Sequence, residues 1–235
     1  MSSITLLDTS SEMLARAQKR LRYFQRPIYV HEGEMDRLDL DEGYDVVLTC
    51  SVLHHIPDLE NFLRSIRRAV APGGVFVNAH DPNGDYLGDK ELGLRKERLA
   101  AENAVVKRPG LAGRIAGKIR RFLKETDYIA LVNRDLLDQQ IISTPLTDSE
   151  LWTVTDIHVE NGAGISLKFI SRQLASFDPV FACSYHFFGK MSSELPPTFR
   201  EEERRLFASG TMSGQDAAAV WHKPVCWPGE ISSDL

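Results

Sequence analysis

Seven polar side chains stand at or just beyond the ends of apolar runs in the first eighty-one residues: Asp8, Glu34, Ser51, His54, His55, His80 and Asp81. A carboxylate can accept two hydrogen bonds and the diol of a ribose offers two, so an acidic side chain such as Asp8 is suited to holding a sugar. Imidazole titrates near neutral pH, which makes His55 a candidate base. Two plainer interpretations compete: Asp8 only caps the helix that follows it, and His54 and His55 only shape a pocket.

The elements that must position these residues alternate between strands and helices. Short apolar runs predict strands at 4–7, 28–30, 44–50 and 75–79. Helices are predicted after Ser10 or Ser11, which are natural N-caps, and after Pro57-Asp58. This rhythm indicates a doubly wound α/β fold with a largely parallel sheet, and such sheets bind ligands outside the carboxyl ends of their strands.

Composition excludes several classes of protein. The chain has 235 residues, of which 43% are hydrophobic and 26% charged, as in ordinary globular domains. Lys and Arg total 28 against 33 for Asp and Glu, so the net charge is −5. A net negative chain is not expected to bind nucleic acid over its whole surface. Three scattered cysteines predict neither a disulfide framework nor a zinc site. With no apolar run of about 18 residues and no signal-peptide profile, the sequence predicts a cytoplasmic location.

Four motifs in sequence order resemble the class I S-adenosylmethionine-dependent methyltransferases, a Rossmann-like family. The string from Leu6 to Ala17 resembles the family's second strand, its ribose-binding acid and the next helix. Gly33-Glu34-Met35 resembles its Gly-Asp turn with a hydrophobic residue against the adenine. The stretch 44–58 is similar to its fourth-strand motif and contains the most specific string, Leu-His-His-Ile-Pro-Asp at 53–58. Ala71-Pro72-Gly73-Gly74 resembles the turn before its fifth strand.

The resemblance implies S-adenosylmethionine as the cofactor. No metal site is predicted at His54, His55 and His80, because no regular ligand spacing supports one. The resemblance places the cofactor against six residues: Asp8, Thr9, Glu34, Met35, Cys50 and Ser51. It also implies a small or lipid-like methyl acceptor, with His55 as the candidate catalytic base.

The family's first strand and the glycine-rich turn after it are absent, since the chain starts just before the second strand. Three explanations stay open at the level of the sequence. The chain is a fragment or has a misplaced start; or it is a degenerate member whose open slot is closed by strand pairing or by a second copy of the chain; or the motif has moved to 157–166, where an acid-x-Gly-x-Gly spacing occurs. That stretch also reads as a turn before a helix capped by Ser166.

We divide the chain into an α/β core at 1–84, a helical insertion or lid at 85–145, the remainder of the core at 146–190 with an antiparallel strand near 180–188, and a C-terminal tail at 191–235. From Lys107 to Lys124 there are seven basic residues and no acidic one. Such a segment is typical of a helix that binds an anionic membrane surface or an acidic carrier protein, or of a solvated surface helix. In the tail, Trp221 and Trp227 indicate docking on the chain's own domain or on a partner, and the charge run at 201–205 reads as a solvated helix face.

Two functions follow from the sequence. The first is methyl transfer from S-adenosylmethionine to a small or lipid-like molecule. The second is a non-catalytic methyltransferase-like binding or assembly module that has lost its cofactor loop. A nucleotide-dependent dehydrogenase is a distant third, because the motif at 51–58 does not fit it.

Overall fold

The computed structural model describes residues 2–35, 43–86, 88–106 and 164–225, with the short stretches 130, 133–134, 136–138, 142–147 and 150. The basic segment 107–124 and most of the acid-x-Gly-x-Gly stretch lie outside the described residues. The strands are β1 (Ile4–Asp8), β2 (Ile28–Glu32), β3 (Tyr44–Cys50), β4 (Val70–Pro82), β5 (Asp178–Tyr185) and β6 (Asp216–His222). The helices are α1 (Ser11–Leu21), α2 (Leu59–Ala69), α3 (Lys90–Val106), α4 (Leu167–Gln173) and α5 (Pro197–Ala208).

Helix starts follow the capping signals of the sequence. The side chain of Ser10 accepts a hydrogen bond from the backbone N–H of Met13 and caps α1. Asp58 caps α2 in the same way, and Ser166 caps α4. Each side chain satisfies one of the free N–H groups at a helix start, which is worth about 1 kcal/mol.

The strands form two sheets. β1 and β2 pair in parallel as a two-stranded sheet, and the order β3-β4-β6-β5 makes a four-stranded one. In the larger sheet β3 and β4 are parallel, whereas β6 is antiparallel to both β4 and β5. The predicted α/β class and the antiparallel strand near 180–188 are therefore confirmed.

The main core lies against the four-stranded sheet. The ring of Trp221 on β6 stacks on that of Phe76 on β4, with 5.5 Å between the ring centroids, and both are buried. Leu63 and Ile66 of α2 and Ile170 of α4 belong to the same buried cluster. A second cluster joins α3 to α5 through Leu99, Phe188 and Phe199. The docking expected of Trp221 is thus onto its own domain, while Trp227 lies outside the described residues.

The division between the two sheets falls between β1 and β3, which is where the resemblance puts the absent strand. Strand β3 pairs with β4 on one side, and its apolar side chains Val46 and Leu48 are 58% and 63% exposed. Met35, just after β2, packs against the core of the larger sheet. Among the described strands, none pairs with the other side of β3, which is therefore an edge strand with exposed apolar side chains.

Two features of the C-terminal region differ from the sequence expectations. Strand β6 was not predicted, because Asp-Ala-Ala-Ala-Val-Trp-His lacks the β-branched character and the alternation typical of strands. The charge run at 201–205 is not wholly solvated, since Glu203 is buried and accepts a hydrogen bond from Ser192. Its neighbour Glu202 pairs with Arg98 of α3 at 2.5 Å, which holds α5 on α3.

We expect Trp221→Ala to lower the free energy of unfolding by about 3–5 kcal/mol, because it removes the ring stacked on Phe76 and leaves a cavity. Urea denaturation followed by circular dichroism measures this. The control is Tyr23→Ala, which truncates an aromatic side chain that is 87% exposed and should change stability by less than about 0.5 kcal/mol. Equal effects of the two substitutions would contradict the placement of β6 in the sheet.

Candidate active site

The string Leu-His-His-Ile-Pro-Asp folds so that its members have different surroundings. Leu53 is fully buried in the main core. His54 is buried too, and its Nδ1 lies 2.8 Å from Oδ1 of Asp81, which also accepts the backbone N–H of His54 at 3.3 Å. His55 is exposed, with its ring centroid 3.9 Å from that of His54. Asp58 caps α2. Most of this motif therefore builds the corner between β3 and α2, and His55 is its exposed polar member at the sheet edge.

Asp8 stands at the carboxyl end of β1, exposed, as the sequence predicts. Its Oδ1 accepts a hydrogen bond from the backbone N–H of Ser10 at 2.8 Å. Its backbone oxygen accepts the N–H of Gly33 at 3.0 Å, which ties the end of β1 to the turn after β2. Asp8 thus supports the start of α1, in line with the interpretation that it caps this helix. Its exposed carboxylate can also accept further hydrogen bonds.

Five of the six predicted cofactor residues fall into two groups, and the sixth, Met35, packs against the main core. Asp8, Thr9 and Glu34 are exposed at the carboxyl edge of the two-stranded sheet. Cys50 and Ser51 are exposed at the carboxyl end of β3 in the other sheet. The structure therefore brings each group together at a strand edge but holds the two groups in separate sheets.

Ser51 has a backbone conformation that L-residues rarely adopt, with φ at +53°. Its N–H donates to the backbone oxygen of Ala79 at 2.9 Å, and its Oγ donates to that of His80 at 3.1 Å. These bonds extend the β3–β4 ladder by one residue and hold Ser51 in the strained conformation. Strain of this kind is concentrated at functional sites.

A third group, of which sequence reasoning singled out only His80, gathers at the same edge of the larger sheet. Nδ1 of His186 lies 2.6 Å from Oδ2 of Asp216. The hydroxyl of Tyr185 accepts the backbone N–H of His80 at 2.7 Å. The His80 and His186 rings lie 5.4 Å apart, and both residues have a positive φ, at +63° and +56°.

A bulge in β4 aims His80 into this group. The register pairs Asn78 with Ala219 and Asp81 with Ala217, so β4 carries one more residue than β6 over this stretch. A β-bulge re-aims the side chains beside it. The pattern Tyr185-His186 at the end of a predicted strand was the available signal, but its partner Asp216 opens the unpredicted β6.

Electrostatics in this group are set by burial. Burial raises the pKa of the Tyr185 hydroxyl to about 12, which the hydrogen bond from His80 partly opposes and the charge of Asp216 reinforces. Burial also lowers the pKa of Lys96 on α3, and the nearby carboxylate of Asp216 opposes that shift. Tyr185 is therefore a neutral hydroxyl at physiological pH.

The residues present fit the ribose end of an S-adenosyl cofactor. The ribose presents two hydroxyl groups that can donate hydrogen bonds, and the exposed carboxylate of Asp8 at the end of β1 can accept them. The exposed Glu34 adds a second acceptor beside Gly33, which is bonded to Asp8.

Comparison with known proteins agrees with the N-terminal motifs. Residues 1–76 match the family model described as a methyltransferase domain. The resemblance to class I S-adenosylmethionine-dependent methyltransferases is therefore confirmed for this segment of the chain.

Two curated relatives match over part of their length. A ubiquinone biosynthesis O-methyltransferase from Paramagnetospirillum magneticum is 31% identical over 77 residues, which are 33% of this chain and 31% of that protein. An elongation factor Ts from Rhodococcus jostii is 30% identical over 116 residues, which are 47% of this chain and 41% of that protein. The chain thus spans less than half the length of either relative. The second name describes another class of protein, and so partial a match carries no functional conclusion.

Solved methyltransferase structures are similar over most of the chain at low identity. A putative sarcosine dimethylglycine methyltransferase from Galdieria sulphuraria has a TM-score of 0.48 and 11% identity, covering 94% of this chain and 70% of that one. An S-adenosylmethionine-dependent methyltransferase from Mesorhizobium loti has a TM-score of 0.47 and 16% identity, covering 94% and 80%.

We expect Tyr185 to stay protonated at pH 11, where N-acetyltyrosinamide, with a phenol of ordinary pKa near 10, is mostly ionised. Because the folded-state pKa of about 12 lies above the unfolded value, this group stabilises the fold fully below pH 10, and its contribution is lost as the pH rises from 10 towards 12. Absorbance at 295 nm measures tyrosinate. Wild type and Tyr185→Phe should absorb equally at pH 11; a wild-type excess of one tyrosinate would contradict the burial of this hydroxyl.

Proposed function

We propose that this chain is a methyltransferase unit that takes the methyl group of S-adenosylmethionine to a small or lipid-like acceptor. The observation that carries the proposal is the match of residues 1–76 to a methyltransferase domain, with the matched polar residues at carboxyl ends of parallel strands. Ligands of open α/β sheets bind at that edge.

The chain's own residues have distinct tasks in this proposal. Asp8 and Thr9 hold the ribose, and Glu34 and Met35 lie at the adenine end. Cys50 and Ser51 line the edge of β3, and the exposed His55 follows them in the chain. The cofactor, when bound, supplies a methyl group activated by a positively charged sulfur, so the chain's contribution is to orient the reactants and to accept a proton.

The division between β1 and β3 bears on the strength of binding. Asp8 belongs to one sheet and Ser51 to the other, so a ligand that spans both must bridge the gap between them. Each charge-assisted hydrogen bond that is not made forfeits about 1.5–3 kcal/mol, so affinity of the isolated chain should be low. The alternative function, a non-catalytic binding or assembly module, is favoured by the same division.

The test is binding of S-adenosylhomocysteine, followed by saturation-transfer NMR because weak binding is expected. Asp8→Asn should weaken binding about 10- to 100-fold, since it removes a charged acceptor worth about 1.5–3 kcal/mol. The control is Asp45→Asn, which changes an exposed carboxylate near the opposite end of β3 and should leave binding unchanged. Equal binding by all three proteins would remove Asp8 from the site, and no binding by the wild type would favour the non-catalytic module.

The partner surface is a separate proposal that rests on the sequence of 107–124. Seven basic residues without an acidic one favour contact with an anionic lipid surface or an acidic carrier protein. Among the helices of the described residues, none is both long and apolar enough to cross a bilayer. Completion of the sheet by a second copy of the chain and a cytoplasmic location stay predictions.

We expect the triple substitution of Arg114, Lys118 and Arg121 by Glu to reduce sedimentation with vesicles containing phosphatidylglycerol at low salt, because attraction to an anionic surface is worth about 1 kcal/mol per basic residue. The matched control reverses Lys19, Arg20 and Arg22, three exposed basic residues in and just after α1, with the same total change of charge. If both triple variants lose binding equally, net charge alone is responsible and the segment is a solvated face.

A further inference from the structure

We propose that His186, oriented by Asp216, is the general base of the reaction and that the acceptor it serves carries a hydroxyl group of phenol-like acidity. The inference rests on the proposed methyl transfer and deepens it. It is carried by the geometry of the His186–Asp216 pair and by its place at the sheet edge beside Ser51.

The pair has the arrangement of an oriented base. A carboxylate only accepts hydrogen bonds, so at the 2.6 Å contact with Asp216 the proton lies on Nδ1 of His186. In the neutral ring the lone pair is then on Nε2, the nitrogen that takes a proton. The His186 side chain is 16% exposed and that of Asp216 10%. Both side chains are thus mostly shielded, and the imidazole keeps a small exposed part.

The surroundings of the pair fix its position. The register places Tyr185 of β5 opposite Asp216 of β6, so His186 directly follows a paired residue. The backbone oxygen of His186 accepts the N–H of Gly189 at 2.9 Å, which closes a tight turn. His186 has a φ of +56°, a conformation that a non-glycine residue rarely adopts. The fold therefore holds this imidazole in a strained position over Asp216.

The pair is continuous with the proposed cofactor edge. Ser51 donates to the backbone oxygen of His80, and the His80 ring lies 5.4 Å from that of His186. Tyr185 accepts the backbone N–H of His80 and so keeps its own O–H for donation. The titratable groups around the pair are His80 and Tyr185, whose rings lie 5.4 Å and 4.8 Å from that of His186, and Lys96 of α3, which is near Asp216. Cys50 and Cys183 lie near Tyr185.

The need for a base selects the class of acceptor. A neutral amine already has a free lone pair and a carboxylate is already ionised, so neither gains much from a base before attack. A phenol, with a pKa near 10, keeps its proton at neutral pH and does gain. In the step, the phenol oxygen bonds to the methyl carbon as its proton passes to Nε2 of His186; the carbon–sulfur bond breaks, and its electron pair stays on sulfur in the departing thioether. Water then takes the proton from His186.

The same two strands supply a matched control at their opposite end. His222 and Asp178 are paired in register, with Nδ1 to Oδ2 at 4.0 Å, and are 37% and 72% exposed. The control pair thus has the same residue types on β5 and β6 but lies at the far edge of the sheet. His222→Gln and Asp178→Asn should leave methyl transfer unchanged.

The first measurement needs no cofactor. Long-range proton–nitrogen spectra of the chain with ¹⁵N-labelled histidine, with His186 assigned by its loss in His186→Gln, should show a proton on Nδ1 and none on Nε2. Asp216→Asn presents an amide that donates to Nδ1, so the proton should move to Nε2. A wild-type ring protonated on Nε2 would overturn the proposal.

The second measurement is methyl transfer from saturating S-adenosylmethionine to a panel of phenols and matched anilines. We expect transfer to phenols, with kcat reduced about 10²- to 10⁴-fold in His186→Gln and at least about 10-fold in Asp216→Asn. Binding of S-adenosylhomocysteine should change less than about threefold in both. If His186→Gln keeps its kcat, or if the chain binds S-adenosylhomocysteine but transfers to anilines or to no phenol, this proposal fails while the proposed cofactor site stands. A wild type that binds no S-adenosylhomocysteine removes both.

Discussion

The pairing of β4 on both sides is the interaction on which the rest of the structure depends. β3 bonds to one side of β4 in parallel and β6 to the other in antiparallel orientation. This places the carboxyl end of β3, the end of β4 and the start of β6 at one edge. The stacked rings of Phe76 and Trp221 lock β4 against β6 from the core side. The polar groups that β3, β4 and β6 bring to that edge take their positions from these two ladders, because their bonds fix the register residue by residue. Tyr185 and His186 take theirs from the ladder between β5 and β6.

The parts of the fold that sequence reasoning predicted are those with local causes. Ser10, Asp58 and Ser166 cap helices because a short polar side chain meets free N–H groups within three residues of itself. The strands of the first eighty residues were recognisable from their apolar runs. Contacts between residues far apart in the chain were not recognisable. Asp216 contacts His186 across 30 residues of the chain, and no local sequence pattern predicts that contact.

The same limit explains the predicted site. His55 was chosen as a base from its position in a motif, and the structure leaves it exposed beside the His54–Asp81 pair. Cys50 ends β3, Thr9 directly follows β1 and Glu34 lies two residues after β2, so these residues stand at the strand ends that the apolar runs predict. Their distance from one another depends on how two sheets approach, and the strand order β2-β1 and β3-β4-β6-β5 shows that these sheets do not share a ladder.

Three His–Asp pairs occur in the described residues, and burial separates what they can do. Asp81 accepts both the ring and the backbone N–H of His54, and the side chains are only 11% and 1% exposed, so this pair serves to hold the corner after β3. His222 and Asp178 lie in solvent at 4.0 Å, where water competes for each group. The His186–Asp216 pair lies between these extremes, with side chains that are 16% and 10% exposed, so its carboxylate is mostly shielded and its ring is partly accessible. A base needs both conditions, since shielding fixes the tautomer and access admits the substrate.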